Sequence, residues 1–191
     1  YPPETILSHT FFMEKTEEFY RFYRAKMLFL DAKPNAAHLK LAQLEAEGKL
    51  TAVVTQNKDG LHQAAGSKKV YELHGSVLRN YCTKCGKFHD VQYIVNSQGV
   101  PKCECGGTVK PDVVLYEEAL DDSTVSGAVN AIASADTLII GGTSLNVYPA
   151  AGLIRYFKGK DLVIINMAPT PMDRNADLLI CDRIGEVFSR I

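Results

Sequence analysis

The sequence predicts an α/β fold in which a doubly wound parallel sheet is interrupted by an inserted zinc ribbon. Short runs rich in Val, Ile and Leu lack polar alternation, as strands covered on both faces do, and they lie at 50–55, 112–116, 136–140, 161–166 and 177–181. Helical patterns separate most of these runs, and a repeated order of strand, helix and strand favours parallel strands joined by crossovers. Four clustered cysteines break this order and indicate the insertion.

Each helical pattern has its own signals. The segment 34–47 begins with Pro34, which suits a first helical turn, and ends before Gly48. The segments 123–134 and 147–157 have the length and periodicity of crossover helices. We expect the carboxyl ends of the strands that these helices connect to carry the ligand site.

A further helical segment at 12–30 precedes the first predicted strand. It carries Phe19, Phe22, Tyr23 and Phe29 at near-helical intervals. Aromatic residues at this spacing favour a core face over a cofactor site.

The cysteines form two pairs, Cys82-x-x-Cys85 and Cys103-x-Cys105, and each pair is followed by glycine. Soft thiolates at this spacing are typical of a tetrahedral Zn²⁺ site, and four protein ligands leave no open position for catalysis. The zinc would therefore be structural, while a redox dithiol or incidental cysteines are the alternatives. Cys181 lies in an apolar run and is predicted to be a small buried residue.

Composition narrows the range of partners. The 191 residues include 21 basic and 22 acidic side chains, which leaves no overall field for nucleic acid or an anionic membrane. No apolar run approaches the length of about 20 residues that spans a bilayer. We expect a cytoplasmic protein, and a monomer because no exposed apolar stripe is evident.

Polar and small residues follow several predicted strands. The loop from Thr55 to His62 carries amide and carboxylate groups that would suit a sugar and a carboxamide. The run Gly141-Gly142-Thr143-Ser144 would let backbone amides approach phosphate oxygens, and Asn166 could meet ribose hydroxyls. Each of these signals alone is weak evidence for a binding site. Their occurrence in this order around a zinc ribbon is much stronger evidence.

Taken together, these motifs resemble the sirtuins. The matching segments are Thr-Gln-Asn-x-Asp-Gly-Leu-His at 55–62, Leu-His-Gly at 73–75, the two cysteine pairs, Lys-Pro-Asp-Val-Val-Leu-Tyr at 110–116, Gly-Thr-Ser-Leu-x-Val-x-Pro-Ala at 142–150 and Ile-Asn at 165–166. The resemblance implies a Rossmann-like large domain and a small domain of zinc ribbon and helices. The implied segments are 1–33 (helical part of the small domain), 34–80 and 109–191 (Rossmann-like domain) and 81–108 (zinc ribbon).

The activity that the resemblance implies is NAD-dependent removal of acyl groups from protein lysines. The products would be nicotinamide, free lysine and O-acyl-ADP-ribose. His74 would act as general base on a ribose hydroxyl, a role that suits imidazole because its ordinary pKa is about 6.5.

The resemblance also implies binding residues. NAD would contact Gln56, Asn57, Lys58, Asp59, Gly142, Thr143, Ser144, Asn166, Arg183 and Ile184. An acyl-lysine protein or peptide would lie as an added strand between Val113, Val114 and Tyr116 on one side and Asn146 and Val147 on the other. The Zn²⁺ ligands would be Cys82, Cys85, Cys103 and Cys105.

Three departures from the family pattern accompany these matches. The family's Gly-Ala-Gly-x-Ser loop does not occur between Tyr1 and Ile191, and we expect it to precede Tyr1 in a longer protein. Lys58 stands where the family usually has isoleucine, and Glu117 stands where glycine is common. These two residues are expected to affect nicotinamide binding and peptide binding respectively.

Two other classes of function stay open. A related use of NAD is ADP-ribose transfer to protein, which would leave a modified protein rather than O-acyl-ADP-ribose. A zinc-ribbon interaction module with a vestigial Rossmann domain would bind partners with or without NAD.

Overall fold

The computed structural model describes residues 1–191 and divides them into two compact units. The ribbon unit comprises Tyr1–Ala32, Asn57–Gly60 and His74–Leu120. The sheet unit comprises Lys33–Gln56, Leu61–Leu73 and Asp121–Ile191. No helix in either unit combines the length and the hydropathy that a membrane crossing needs.

Eight strands and eight α-helices make up the two units. In chain order these are α1 (Pro3–Ile6), α2 (His9–Glu14), α3 (Thr16–Lys26), α4 (Ala36–Ala46), β1 (Val53–Thr55), α5 (Leu61–Ala64), β2 (Val70–Glu72), β3 (Gly75–Cys82), β4 (Phe88–Asp90), α6 (Val91–Asn96), β5 (Val109–Val113), α7 (Asp122–Ser134), β6 (Thr137–Gly141), β7 (Asp161–Ile165), β8 (Leu178–Ile180) and α8 (Ile184–Phe188). Two 3₁₀ helices cover Ala150–Tyr156 and Asp173–Asn175.

Aromatic side chains from the N-terminal helices fill the core of the ribbon unit. Phe19, Tyr20 and Tyr23 in α3 are fully buried, and the rings of Phe19 and Tyr23 stack with their centroids 5.6 Å apart. The buried hydroxyl of Tyr20 donates to the carbonyl of Val109, which ties α3 to β5. The predicted aromatic face is correct for Phe19 and Tyr23 but wrong for Phe29, which is 72% exposed because α3 ends at Lys26.

The ribbon itself is an antiparallel sheet in the order β4, β3, β5. The prediction of a parallel strand at 112–116 is wrong, because the strand covers Val109–Val113 and pairs antiparallel with β3. Its side chains alternate between buried and half-buried, as is typical of an antiparallel strand with one covered face. On the more exposed face, Arg79 Nε donates to Asp112 Oδ2 over 2.8 Å.

Parallel strands and helices build the sheet unit, as the sequence predicts. Strands β6, β7 and β8 form one parallel sheet in that order, with Gly141 opposite Ile165 and Ile165 opposite Ile180. Strands β1 and β2 form a second parallel pair. The runs are less covered than predicted, since Ile139 and Leu178 are 42% and 51% exposed.

Helix α4 has a defined cap at each end. Asn35 Oδ1 accepts from the backbone NH of His38 at 3.1 Å, and His38 Nδ1 accepts from the backbone NH of Asn35 at 3.1 Å. The prediction that Pro34 occupies the first helical turn is wrong, because Asn35 is the N-cap and Pro34 precedes the helix. At the other end Gly48 has φ of +74°, and Lys49 donates back to Leu44 in a Schellman motif.

Two further predictions are wrong in this unit. The segment 147–157 forms a 3₁₀ helix at Ala150–Tyr156 rather than an α-helix, and this tighter form has Pro149 before it and Gly152 within it. Cys181 is exposed rather than buried, since it follows β8, which lies at the edge of the sheet.

Candidate active site and metal centre

A cavity of about 590 Å³ lies at the carboxyl ends of β6, β7 and β8 in the sheet unit. This is the place where open parallel sheets bind ligands. The cavity is lined by Asn35, Gly142, Thr143, Ser144, Ile165, Asn166, Met167, Ala168, Pro169, Asp182, Arg183, Ile184, Gly185 and Glu186. The structure thus brings six residues selected from the sequence to one cavity, namely Gly142, Thr143, Ser144, Asn166, Arg183 and Ile184.

The turn after β6 keeps its backbone close to the cavity. Gly142 has φ of +62°, and its NH donates to the carbonyl of Ile165 at 3.1 Å. The Thr143 hydroxyl accepts from the NH of Leu145 at 3.2 Å and lies 3.4 Å from Gln56 Oε1. Gln56, also selected from the sequence, therefore lies beside this turn. The turn offers hydroxyls and small residues at the cavity wall, which are groups suited to phosphate and ribose.

Asn166 is held in a fixed orientation at the end of β7. Its backbone NH donates to Ile180 at 3.1 Å, and its Nδ2 donates to the carbonyl of Ala168 at 2.8 Å. With Nδ2 bonded to the backbone, Oδ1 is the acceptor that Asn166 offers to a ligand hydroxyl.

Sequence reasoning did not assign several cavity residues to the site. Asn35 is among them, although its position before a helical pattern marks it as an N-cap. Asp182 and Glu186 add carboxylates to the same wall, and Asp182 Oδ1 accepts from the NH of Arg183 at 2.7 Å. No spacing rule links these acids to β6, so only the fold brings them there.

The other predicted NAD contacts, Asn57, Lys58 and Asp59, belong to the ribbon unit together with His74. The carbonyl of Lys58 accepts from the NH of Val77 at 2.9 Å, which fixes this loop to β3. Burial lowers the pKa of Lys58 below its ordinary value.

His74 directly precedes β3 and is half-buried. Its carbonyl accepts from the NH of Val114 at 3.1 Å. The following residue, Gly75, has φ of +75°, and a Cβ there would lie 1.9 Å from the carbonyl oxygen of Asp112. The backbone that carries His74 is therefore packed directly on β5.

The predicted peptide contacts fall into both units. Val113 is buried at the end of β5, whereas Tyr116 is 46% exposed and exchanges backbone hydrogen bonds of 2.9 Å with Leu7 and His9. Val114 continues this segment in the ribbon unit. Asn146 and Val147 lie in the sheet unit, and both are exposed.

The four cysteines of the ribbon lie in a cluster. Their Sγ atoms are all within 4.8 Å of one another, with 3.4 Å between Cys82 and Cys105 and 3.8 Å between Cys85 and Cys103. Tetrahedral zinc with Zn–S bonds of about 2.3 Å requires sulfur atoms about 3.8 Å apart. The four cysteines are positioned to bind a zinc ion.

The pKa values of the thiols are also consistent with a site for a cation. Backbone NH groups, first that of Cys85 and then that of Lys84, lower the pKa of Cys82 to about 6. The pKa of Cys85 is lowered by the backbone NH of Lys87, but hydrogen bonds with Cys105 and Cys82 outweigh this effect and raise it to about 12. Since neighbouring thiolates repel one another, the cluster needs a positive charge to ionise fully.

Glycines let the ribbon backbone fold around this cluster. Gly86 and Gly106 have φ of +72° and +81°, as expected for the turns after each cysteine pair. A Cβ at Gly107 would lie 2.6 Å from Cys82 Sγ. The glycines predicted to shape the site therefore do so.

Comparison with known proteins gives a consistent result. The model of the Sir2 family matches residues 1–149. The chain is 64% identical over 193 residues to a protein of Clostridium acetobutylicum named NAD-dependent protein deacetylase, covering 100% of this chain and 79% of that protein. A protein of the same name from Clostridium perfringens is 61% identical, with the same coverage.

Solved structures agree with the sequence relatives. The structure described as "Sir2-p53 peptide-NAD+" is 41% identical with a TM-score of 0.89, and the match covers 96% of this chain and 80% of that one. "Sir2 bound to acetylated peptide" is 40% identical with a TM-score of 0.90, covering 97% of this chain and 81% of that one. The predicted fold class and the sirtuin resemblance are confirmed, and the chain belongs to the Sir2 family.

Proposed function

We propose that this chain is an NAD-dependent protein-lysine deacetylase. It converts NAD and an acyl-lysine protein into nicotinamide, deacylated lysine and O-acyl-ADP-ribose. The observation that carries this proposal is the cavity at the carboxyl ends of β6, β7 and β8, whose wall presents small residues, hydroxyls and an oriented amide. The names of the Clostridium relatives and the NAD and acetylated peptide in similar structures support it.

The cavity of the sheet unit holds the phosphate and adenosine part of NAD. Backbone groups at Gly142 and the hydroxyls of Thr143 and Ser144 bind phosphate and the adjoining ribose. Asn166 accepts from the adenosine ribose hydroxyls through Oδ1, since its Nδ2 is bonded to Ala168. The adenine lies against Arg183 and Ile184 at the start of α8.

The remaining contacts serve the nicotinamide end. Gln56 and Asn57 bind the ribose and the carboxamide, and Asp59 accepts from the carboxamide NH₂. Lys58 stands where the family usually has an apolar residue, and burial lowers its pKa below the ordinary value.

His74 is the catalytic residue. Bound NAD supplies an ADP-ribose group whose ribose hydroxyl accepts the acyl group. His74 takes the proton from that hydroxyl, and neutral imidazole is well suited because it accepts a proton near neutral pH. The bond from Val114 to the His74 carbonyl and the close packing of Gly75 on Asp112 hold the histidine backbone in place.

The acyl-lysine peptide binds as an extended strand. Its proposed contacts are Val113, Val114 and Tyr116 of the ribbon unit and Asn146 and Val147 of the sheet unit. Backbone pairing of this kind selects acyl-lysine more than the flanking sequence.

The zinc held by Cys82, Cys85, Cys103 and Cys105 is structural. With four thiolates it has no open position for substrate, and it stabilises the ribbon. A cytoplasmic location is part of the proposal, since clustered cysteines that bind a metal instead of forming disulfides suit a reducing compartment.

The proposal is tested by release of nicotinamide from NAD with and without an acetyl-lysine peptide. The wild-type chain and the His74→Ala variant are compared, and products are identified by mass spectrometry. We expect peptide-dependent release, formation of O-acetyl-ADP-ribose, and loss of both in His74→Ala. The variant should retain NAD binding and thermal stability.

The same experiment separates the alternatives. ADP-ribose transferred to protein, with the acetyl group still on the peptide, would replace deacetylation by the transferase function. Binding of partners without NAD turnover would favour an interaction module.

A further inference from the structure

The peptide-binding segment of the ribbon unit is anchored at both ends. At its start, Val113 pairs with Gly75 in the ribbon sheet. At its end, Tyr116 forms an isolated parallel bridge with Ser8, the N-cap of α2. The residues between therefore span from β5 to the start of α2, outside any regular strand.

Glu117 makes the next contact in an unusual backbone conformation. Its φ is +76°, in the left-handed region that favours glycine, so a side chain here has a steric cost. Its carboxylate Oε2 accepts from both the backbone NH and the hydroxyl of Thr10, at 2.9 and 2.8 Å. These bonds lower the pKa of Glu117, which keeps the carboxylate charged.

Glu118 makes a second set of contacts on the same segment. Its Oε1 accepts from His9 Nδ1 at 2.9 Å, and its Oε2 accepts from the NH of Leu115 at 2.9 Å and from Lys110 Nζ at 3.2 Å. Lys110 Nζ also donates to the carbonyl of Val113 at 3.1 Å. The two carboxylates thus tie the segment to α2, to β5 and to itself.

We propose that Glu117 and Glu118 are positioning residues for acyl-lysine peptide, which hold Val113–Tyr116 in the extended shape that pairs with it. This inference rests on the proposed function and adds residues that touch the binding segment rather than the substrate. Glycine would adopt the conformation of Glu117 without strain, but it would have no carboxylate to bind Thr10. The strained side chain is therefore explained by the contact that it makes.

A segment held in its bound shape needs little ordering when peptide binds. Releasing it should weaken peptide binding while the chemical step on bound substrate is largely unchanged. The expected signature is a raised KM for peptide with similar kcat and similar KM for NAD.

The decisive variant is Glu117→Gly, since it removes the carboxylate and also relieves the backbone strain. We expect a peptide KM about tenfold higher than that of the wild type, as loss of charge-assisted hydrogen bonds would give. Its thermal midpoint should be no lower than that of Glu117→Ala. A raised KM without lost stability is a result that a merely structural residue would not give.

Glu117→Gln separates positioning from simple attraction of basic peptides. Glutamine keeps an oxygen that accepts from Thr10 but carries no charge, so peptide KM should return most of the way to the wild-type value. A KM as high as that of Glu117→Gly would instead assign the effect to charge and overturn positioning. Glu14→Ala, which removes an exposed acid from α2, is the matched control and should leave peptide KM unchanged.

Thr10→Val completes the test from the other side of the contact. It should raise peptide KM in the wild-type background and have little effect in Glu117→Gly. Unchanged peptide KM in both Glu117→Gly and Glu117→Ala would overturn the inference, as would equal changes in kcat and in the KM for NAD.

A second readout keeps this inference distinct from the proposed function. If the wild-type chain releases no nicotinamide with peptide, the deacetylase proposal fails. The positioning role is then decided by the Kd of a fluorescein-labelled acetyl-lysine peptide. A weaker Kd for Glu117→Gly than for the wild type supports the role, and equal or unmeasurable binding by both overturns it.

Discussion

Gly75 and Asp112 approach so closely that a Cβ on Gly75 would lie 1.9 Å from the Asp112 carbonyl oxygen. The two residues belong to neighbouring antiparallel strands, β3 and β5, and Gly75 also has φ of +75°. Because His74 precedes Gly75 and Val113 follows Asp112, this single approach fixes the proposed base and the start of the peptide segment together.

Gly75→Ala should therefore destabilise the protein and reduce deacetylation. Backbone cannot move aside as a flexible side chain can, so we expect a loss of about 3 kcal/mol in the free energy of unfolding. Urea unfolding followed by circular dichroism measures it. Gly99→Ala is the control, since Gly99 has φ of +58° with nothing within 4 Å of the added Cβ, and it should cost only about 1 kcal/mol. Equal losses in the two variants would contradict the role of the Asp112 contact.

Cys82→Ser should remove the zinc and unfold the ribbon. Without one thiolate the remaining three hold the metal poorly, and metal binding is part of the folding free energy. We expect loss of bound zinc by atomic emission and a drop in Tm of about 10 °C or more. Cys181→Ser changes an exposed cysteine outside the cluster and should alter neither quantity. A variant that retained full stability without zinc would refute the structural assignment.

The turn after β6 that lines the cavity, and the cysteine cluster, can both be predicted from the sequence, because each depends on a short run of neighbouring residues. Gly142 to Ser144 follow a recognisable apolar run, and the cysteine pairs have finger spacing. The apolar run from Asp112 to Tyr116 predicts a strand several residues too late, because β5 instead alternates buried Val109, Pro111 and Val113 with half-buried residues.

Other features depend on contacts between distant residues. From the sequence, Glu117 is recognised only as a residue that stands where glycine is common. Its hydrogen bond from Thr10, which lies 107 residues away, is evident only in the structure. Asp182 and Glu186 reach the cavity wall only through the position of β8 beside β7. The apolar neighbours of Cys181 predict that it is buried, but it is exposed because the strand order, which local sequence does not encode, puts β8 at the edge of the sheet.

Asn166→Ala should weaken NAD binding. The variant loses the oxygen that we propose accepts from the adenosine ribose, and we expect the KM for NAD to rise about tenfold with kcat little changed. Steady-state nicotinamide release at saturating peptide measures both. Asn175→Ala removes an exposed amide of the same unit that does not line the cavity, and its KM should match the wild type. A normal KM for Asn166→Ala would remove Asn166 from the NAD site.

Glu118 should make the stability of the protein depend on pH. Burial raises the pKa of its carboxyl, but the bonds from Leu115, His9 and Lys110 outweigh this effect and hold the pKa below its ordinary value of 4.5. A carboxyl whose pKa is lower in the folded state stabilises the protein fully above its unfolded pKa, and this contribution is lost as pH falls through the folded pKa.

Glu118→Gln should therefore destabilise the protein by about 1 to 2 kcal/mol at pH 7, with a difference that shrinks below a pH of about 4.5. Urea unfolding of both proteins between pH 7 and pH 3 measures the difference. Glu14→Gln, in an exposed position of α2, should differ little from the wild type across this range. A difference for Glu118→Gln that grew toward low pH would show that the charged form is not the one that His9, Lys110 and Leu115 stabilise.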